Sequence, residues 1–161
     1  MQPVVLSELE CLLNDHKIGG NERIKIIAIC NDMVTNADLL TDVANSLKPI
    51  IDGRKESFVV SQSIPALISA VLSVVSKVEY YKTVTEERMR FVLYCILLSS
   101  LLKYYPAVLK AIDIDSLRQI YKTCIELVLL IPVKINKKTC LTCLGGTFKI
   151  FSFLNKDKVI V

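Results

Sequence analysis

Apolar residues recur every three or four positions through most of the chain, which is the spacing of helices with one buried face. The pattern predicts a first helix over 7–16, a mostly buried second helix over 21–34 and a third over 37–47. Ser7 and Glu10 have the spacing of a capping box, so we expect them at the start of the first helix.

Prolines and polar residues are expected to separate the next elements. Pro49 should end the third helix, because proline lacks a backbone N–H and restricts the residue before it. The polar stretch over 49–57 then predicts a loop. Ser63 is a suitable N-cap for a helix over 63–82, with Pro65 in its first turn.

A well-marked helix start precedes the most apolar segment of the chain. Thr85 can cap this helix, and Glu86 and Glu87 follow where the positive end of the helix dipole favours acidic residues. Within the predicted helix over 85–105, residues 91–102 are apolar on every side apart from two serines. Such a helix is expected at the centre of a bundle, covered by its neighbours.

Two further elements complete the helical region. Residues 107–112 predict a brief turn, and Asp115 is expected to cap a helix over 115–131. The polar face of that helix carries Arg118, Gln119, Lys122 and Glu126. We therefore predict an all-α fold, a compact bundle of five to seven helices over 1–132, followed by a short extended or β-like C-terminal arm over 133–161.

The arm differs from the bundle in charge and in pattern. Its 29 residues include six lysines and one acidic residue, a net charge of +5, whereas the rest of the chain has a net charge of −1. Its apolar residues are β-branched or aromatic and alternate with polar ones, which is typical of a strand with one buried face. The residues that we expect to contact a partner are Lys134, Lys137, Lys138, Phe148, Phe151 and Phe153.

A protein is the expected partner of this arm. An extended strand can add to the sheet of another protein or lie in its groove, whereas lysines without arginine make no bidentate contacts with base edges. Nucleic acid is the alternative partner, because lysines attract phosphates and phenylalanine rings stack on bases.

The high hydropathy of the chain raises the question of membrane insertion. Of its 161 residues 52% are hydrophobic, and the mean hydropathy is +0.47. No apolar run reaches the length of about 20 residues that a spanning helix needs, and we see no secretory signal at the N-terminus. The apolar side chains are therefore expected to be buried within the fold or against other subunits, which predicts self-association.

Few residues indicate catalysis, so neither an enzyme nor a cofactor is predicted. The single histidine, His16, is expected near the end of the first helix as a surface or capping residue, where a cation suits the helix dipole. Glu86 and Glu87 are adjacent, so their side chains point about 100° apart and do not form an acid–base pair. Glycine-rich phosphate loops and the H-E-x-x-H metal motif do not occur in the sequence.

The cysteines fall into two groups. Four lie within apolar helical patterns, where a reduced cysteine acts as a small hydrophobe: Cys11, Cys30, Cys95 and Cys124. They indicate a reducing compartment and hence a cytoplasmic location. Cys140 and Cys143 have the C-x-x-C spacing of zinc and redox sites, but a second ligand pair and a following helix are missing from the pattern. A zinc or redox protein stays an alternative interpretation.

Residues 64–132 comprise an apolar helix, the junction YKTVTEE, an apolar helix that ends at aromatic residues, and a closing helix. This arrangement resembles small helical virion proteins of large double-stranded DNA viruses. The resemblance implies a non-enzymatic minor capsid or internal virion component, packed among copies of itself and other proteins. The same residues also resemble a Bcl-2-like adaptor, which would bind a partner helix in a groove.

Overall fold

A computed structural model describes residues 1–53, 60–78 and 83–130, apart from the side chains of 60–62 and 127–130. These residues form seven α-helices, in chain order α1 (Pro3–Asp15), α2 (Gly20–Thr35), α3 (Ala37–Asp52), α4 (Val60–Val75), α5 (Glu86–Tyr104), α6 (Pro106–Ala111) and α7 (Ile114–Leu130). The predicted all-α fold is confirmed. The predicted arm over 133–161 lies outside the described residues.

Helix α5 is the centre of the bundle, as its sequence predicts. Every residue from Phe91 to Leu101 is buried, and the other six helices all contact α5. The two serines of this segment, Ser99 and Ser100, are buried with the apolar residues around them. Since α5 has no polar face, its position depends on amphipathic helices that cover it on all sides.

The start of α5 is also confirmed. Thr85 occupies the N-cap position with an extended backbone, and Glu86 and Glu87 form the first turn. The side chain of Thr85 makes no capping hydrogen bond, so the favourable interaction of the two glutamates with the helix dipole is the main sequence signal for this start.

Other predicted helix starts are wrong by a few residues. Helix α1 begins at Pro3, so Ser7 lies inside the helix and forms no capping box. Proline suits the first helical position, and the earlier start places Val5 in the core, fully buried. Helix α7 is capped by Asp113 and not by Asp115, because Asp113 Oδ2 accepts a hydrogen bond from the backbone N–H of Ser116 at 3.1 Å.

The two prolines expected at helix boundaries lie inside helices. Helix α3 passes through Pro49 and continues to Asp52. Ile51 is only 6% exposed and extends the buried stripe of α3, so its burial offsets the hydrogen bond that proline removes. Pro65 likewise lies within α4, where Ser63 is fully buried and is not the N-cap.

Helix α4 ends earlier than the pattern predicts. Its last helical residue is Val75, and a turn follows in which the backbone N–H groups of Lys77 and Val78 donate to the carbonyls three residues before them. The predicted extension beyond Val75 is therefore wrong through residue 78, and 79–82 lie outside the described residues. No helix in the described ranges combines the length and the hydropathy that crossing a bilayer requires.

Candidate functional site

The residues predicted to contact a partner all lie outside the described residues, as do Cys140 and Cys143. What the described helices do contain is a set of polar side chains at the junction of α1, α5 and α7. We call this set the α1–α7 seam, and it consists of Glu8, Asp15, Tyr94, Asp115, Arg118 and Lys122.

The centre of the α1–α7 seam is an ion pair between Glu8 and Arg118. Their side chains are 12% and 13% exposed, and the Arg118 guanidinium donates from Nη1 to both Glu8 oxygens, at 2.9 and 2.7 Å. Arg118 Nη2 also donates to Asp115 Oδ1 at 2.7 Å, one helical turn away. The pair therefore joins the first and the last of the described helices.

Tyr94 connects this pair to the central helix. Its hydroxyl donates to Glu8 Oε2 at 3.0 Å, and its ring packs against Tyr121 with 4.8 Å between the centroids. Burial raises the pKa of Tyr94, and the negative charge of Glu8 raises it further. Tyr94 is thus a neutral hydrogen-bond donor. Glu8 accepts hydrogen bonds both from α5, through Tyr94, and from α7, through Arg118.

The charge of Arg118 is held by its two carboxylate partners. Burial lowers the pKa of Arg118, but the hydrogen bond and the attraction to Glu8, with a further bond to Asp115, leave it raised overall. One guanidinium nitrogen, Nε, is buried and has no hydrogen-bond partner among the described residues. Within the described ranges, the hydrogen bonds of this guanidinium are with the carboxylates of Glu8 and Asp115.

A second ion pair extends the seam toward the end of α1. Lys122 Nζ lies 2.7 Å from Asp15 Oδ2, and this hydrogen bond is the main reason that the pKa of Asp15 is lowered. Both side chains are more exposed than those of Glu8 and Arg118. Surface pairs of this kind contribute little to stability, about 0–1 kcal/mol, so the inner pair carries the larger share of the contact.

His16 follows α1 as its C-cap residue and packs edge-on against Phe91, with 5.6 Å between ring centroids. Burial lowers its pKa, and the nearby cation of Arg90 lowers it further. The predicted capping position is confirmed. A half-buried ring beside an arginine disfavours the protonated form.

The sequence pattern placed Arg118, Lys122 and Glu126 on a polar face, without partners. In the structure each forms an ion pair with a residue of another helix. Arg118 and Lys122 pair with Glu8 and Asp15 of α1. Glu126 accepts a hydrogen bond from Arg90 of α5. A signal for Glu8 was present, because it lies three residues after Val5 and four before Leu12, both of them buried. Nothing in the sequence indicated that its partner is Arg118, 110 residues later.

The cysteines inside the helices behave as expected from their apolar surroundings. Cys30, Cys95 and Cys124 are buried, and Cys11 is partly buried. Burial is the main reason that the pKa of the Cys95 thiol on α5 is raised well above its usual range, and the neighbouring Cys30 of α2 raises it further. Protonated, buried thiols are poor nucleophiles.

No group of three or more metal-ligating side chains occurs in the described part of the chain. The fold and the seam define an all-α bundle in which amphipathic helices enclose one apolar helix and a largely buried ion pair fixes the last described helix to the first. Comparison of the chain with protein-family models, with curated proteins and with solved structures finds no match.

Proposed function

We propose that this chain is a non-enzymatic structural or assembly protein, acting through contacts with other proteins as a minor virion or capsid-associated component. The observation that supports this most directly is how the α1–α7 seam uses its charged groups. Glu8, Arg118 and Asp115 bind one another across helices. Polar groups that are already paired hold a scaffold together, whereas catalytic groups must be available to a substrate.

The distribution of charge supports a protein partner. The last 29 residues have a net charge of +5 and the remainder −1. Exposed acidic residues of α3, Asp38 and Asp42, offer opposite charge to the lysines of another copy. Such complementarity steers association and fixes orientation more than it adds affinity. Copies of this chain can therefore bind one another through the arm and the bundle.

The test uses two variants of the full chain. One replaces Lys134, Lys137 and Lys138 by glutamine, and the other replaces Phe148, Phe151 and Phe153 by serine. A matched control replaces three lysines of the described region, Lys48, Lys77 and Lys110, by glutamine. We expect both arm variants, and not the control, to form smaller assemblies than the original chain in sedimentation velocity. Unchanged association of both arm variants contradicts the assignment of the partner contact to the arm.

A second candidate function is that of a Bcl-2-like adaptor, and the position of α5 favours it. A fully buried central helix surrounded by amphipathic helices is a framework on which two neighbouring helices can form a groove for a partner helix. Saturable binding of an amphipathic helical peptide by the monomer, with no larger assembly formed, would favour the adaptor over the assembly protein.

A zinc or redox role for Cys140 and Cys143 is tested separately. Metal analysis of protein purified without chelator, compared with the Cys140→Ser/Cys143→Ser variant, gives the answer. Stoichiometric zinc that is lost in the variant would contradict the proposed function.

A further inference from the structure

Helix α2 has an outward side that no described helix covers. Its exposed residues recur every three or four positions, and we call them the α2 stripe: Asn21, Ile24, Ala28, Asn31 and Thr35. Ile24 is 67% exposed, and Val4 of α1, at 43%, is the other large apolar side chain exposed in the described ranges. An isoleucine at this exposure gains from being covered.

The other sides of α2 are fully used within the chain. Arg23 binds Asn14 at 2.7 Å and lies 3.8 Å from Glu10, which ties one edge of α2 to α1. Glu22 binds the guanidinium of Arg88 on α5 through both carboxylate oxygens. Between these edges, Ile26 and Cys30 face the core. Within the α2 stripe, Asn31 Oδ1 accepts a hydrogen bond from the Met1 amino group, and Ile24 and Ala28 are exposed positions that no other described helix covers.

The side chains of the α2 stripe are uncharged, and the N-terminal ammonium of Met1 lies against it and donates to Asn31 Oδ1 at 2.9 Å. Lys25 and Asp32 are exposed, and neither forms a salt bridge with another described residue. This is how protein interfaces are built, with charged residues depleted at the centre and present at the rim. The exposed side of α3 differs, because it carries Asp38, Asp42 and Lys48.

Lys25 and Asp32 are spaced for pairing with a second copy. They lie seven residues apart, two helical turns or about 10.5 Å along the axis. When two copies of α2 run antiparallel about a two-fold axis midway between these residues, each Lys25 faces Asp32 of the second copy. Ala28 lies beside that axis, and its small side chain allows a close approach of the helices. A parallel pairing in register would instead bring like charges together.

We propose that the α2 stripe is the interface of a symmetric dimer of this chain, in which α2 packs antiparallel on α2 of the second copy. Ile24 inserts beside Asn31 and Thr35 of that copy, and the two Lys25 to Asp32 pairs set the register. A two-fold contact of this kind is self-complementary, so that each contact occurs twice. The inference rests on the proposed function and assigns to it one self-association surface that is separate from the arm.

The test is sedimentation velocity of the full chain over a range of concentrations. Ala28→Arg and Ile24→Lys place charge at the centre of the contact, and both positions are exposed on a helix, so the fold should tolerate them. We expect each to raise the dimer dissociation constant at least roughly tenfold. The matched control is Asn45→Arg on the exposed side of α3, which should leave the constant unchanged.

Charge exchange tests the register. Lys25→Glu and Asp32→Lys should each weaken the dimer by roughly tenfold, because each places two like-charge pairs at the contact. The double variant restores opposite charges and should dimerise within a few-fold of the original chain. The control is Lys48→Glu on α3, an exposed charge reversal outside both proposed contacts, which should leave the dimer unchanged.

The outcomes separate this inference from the proposed function. If the chain associates and Ala28→Arg and Ile24→Lys associate equally well, the α2 interface is wrong and the assembly role stands. Failure of the double charge exchange to restore the dimer contradicts the antiparallel register. If the original chain is monomeric at every concentration, both the α2 interface and the proposed self-association are wrong.

Discussion

The bundle has two buried regions that are held together by different forces. Around α5 the contacts are apolar and come from all sides, with every residue from Phe91 to Leu101 buried. At the α1–α7 seam the contacts are hydrogen bonds with defined partners, centred on Glu8 and Arg118. Apolar burial is favourable in any orientation, whereas an ion pair with several donors is favourable in one. The first region therefore supplies stability, and the second fixes where α7 lies against α1.

The largest effect is expected in the apolar region. Leu97→Ala removes a fully buried side chain from the middle of α5, and the cavity should lower the free energy of unfolding by about 2–5 kcal/mol. Urea denaturation followed by circular dichroism measures the change. The control is Ile24→Ala, which is exposed in the monomer and should cost about 0.5 kcal/mol or less. Equal losses at the two positions would contradict the central position of α5.

A smaller effect is expected at the α1–α7 seam, where substitutions can separate the contribution of the charges from that of side-chain packing. Glu8→Ala leaves the guanidinium of Arg118 with Asp115 as its partner, and we expect a loss of about 2 kcal/mol. This is less than a fully buried pair would give, because both side chains keep some exposure. The outer pair, Lys122 and Asp15, is the comparison, since Lys122→Gln should cost about 0.5 kcal/mol or less.

A double variant sharpens this prediction. Glu8→Leu with Arg118→Met replaces both charges by apolar side chains and should be more stable than Glu8→Leu alone, because no buried charge is left unpaired. Equal or greater destabilisation of the double variant in the same urea experiment would mean that the pair acts through packing and not through its charges.

The smallest effect concerns His16, at the edge between the two regions. Its pKa is lower in the folded chain than the ordinary value of 6.5, so the unfolded chain binds a proton more readily. Above about pH 6.5 the titration of His16 therefore does not reduce the free energy of unfolding. Below that value the free energy of unfolding falls as the pH decreases. The groups that face His16 are Arg90, Lys122, Glu126 and Asp15. Of these, Asp15 titrates at lower pH, because its pKa is lowered from the ordinary value of 3.8.

The measurement is the free energy of unfolding between pH 8 and 5 for the original chain and for His16→Asn. The difference between the two should change as the pH falls through about 6.5, with the original chain losing more stability. Parallel pH profiles would contradict the burial of His16. The matched control, Asn14→Ala, should leave the pH profile of the original chain unchanged.

The two regions also differ in how far the sequence predicts them. The central position of α5 follows from a run of apolar residues with no polar face, because burial depends on composition and local spacing. The seam depends on Arg118 meeting a carboxylate 110 residues earlier in the chain, and local patterns carry no information on such a pairing. The boundary at Pro49 was mispredicted for a related reason, since burial of Ile51 outweighed the local preference for a helix end.

The measurement that tests the central claim most directly is sedimentation equilibrium of the full chain over a wide range of concentrations. An assembly protein should show mass above that of the 18.1 kDa monomer, rising with concentration and falling when Lys134, Lys137 and Lys138 are replaced by glutamine. A single 18.1 kDa species at every concentration, unchanged by these substitutions, would contradict the proposed function.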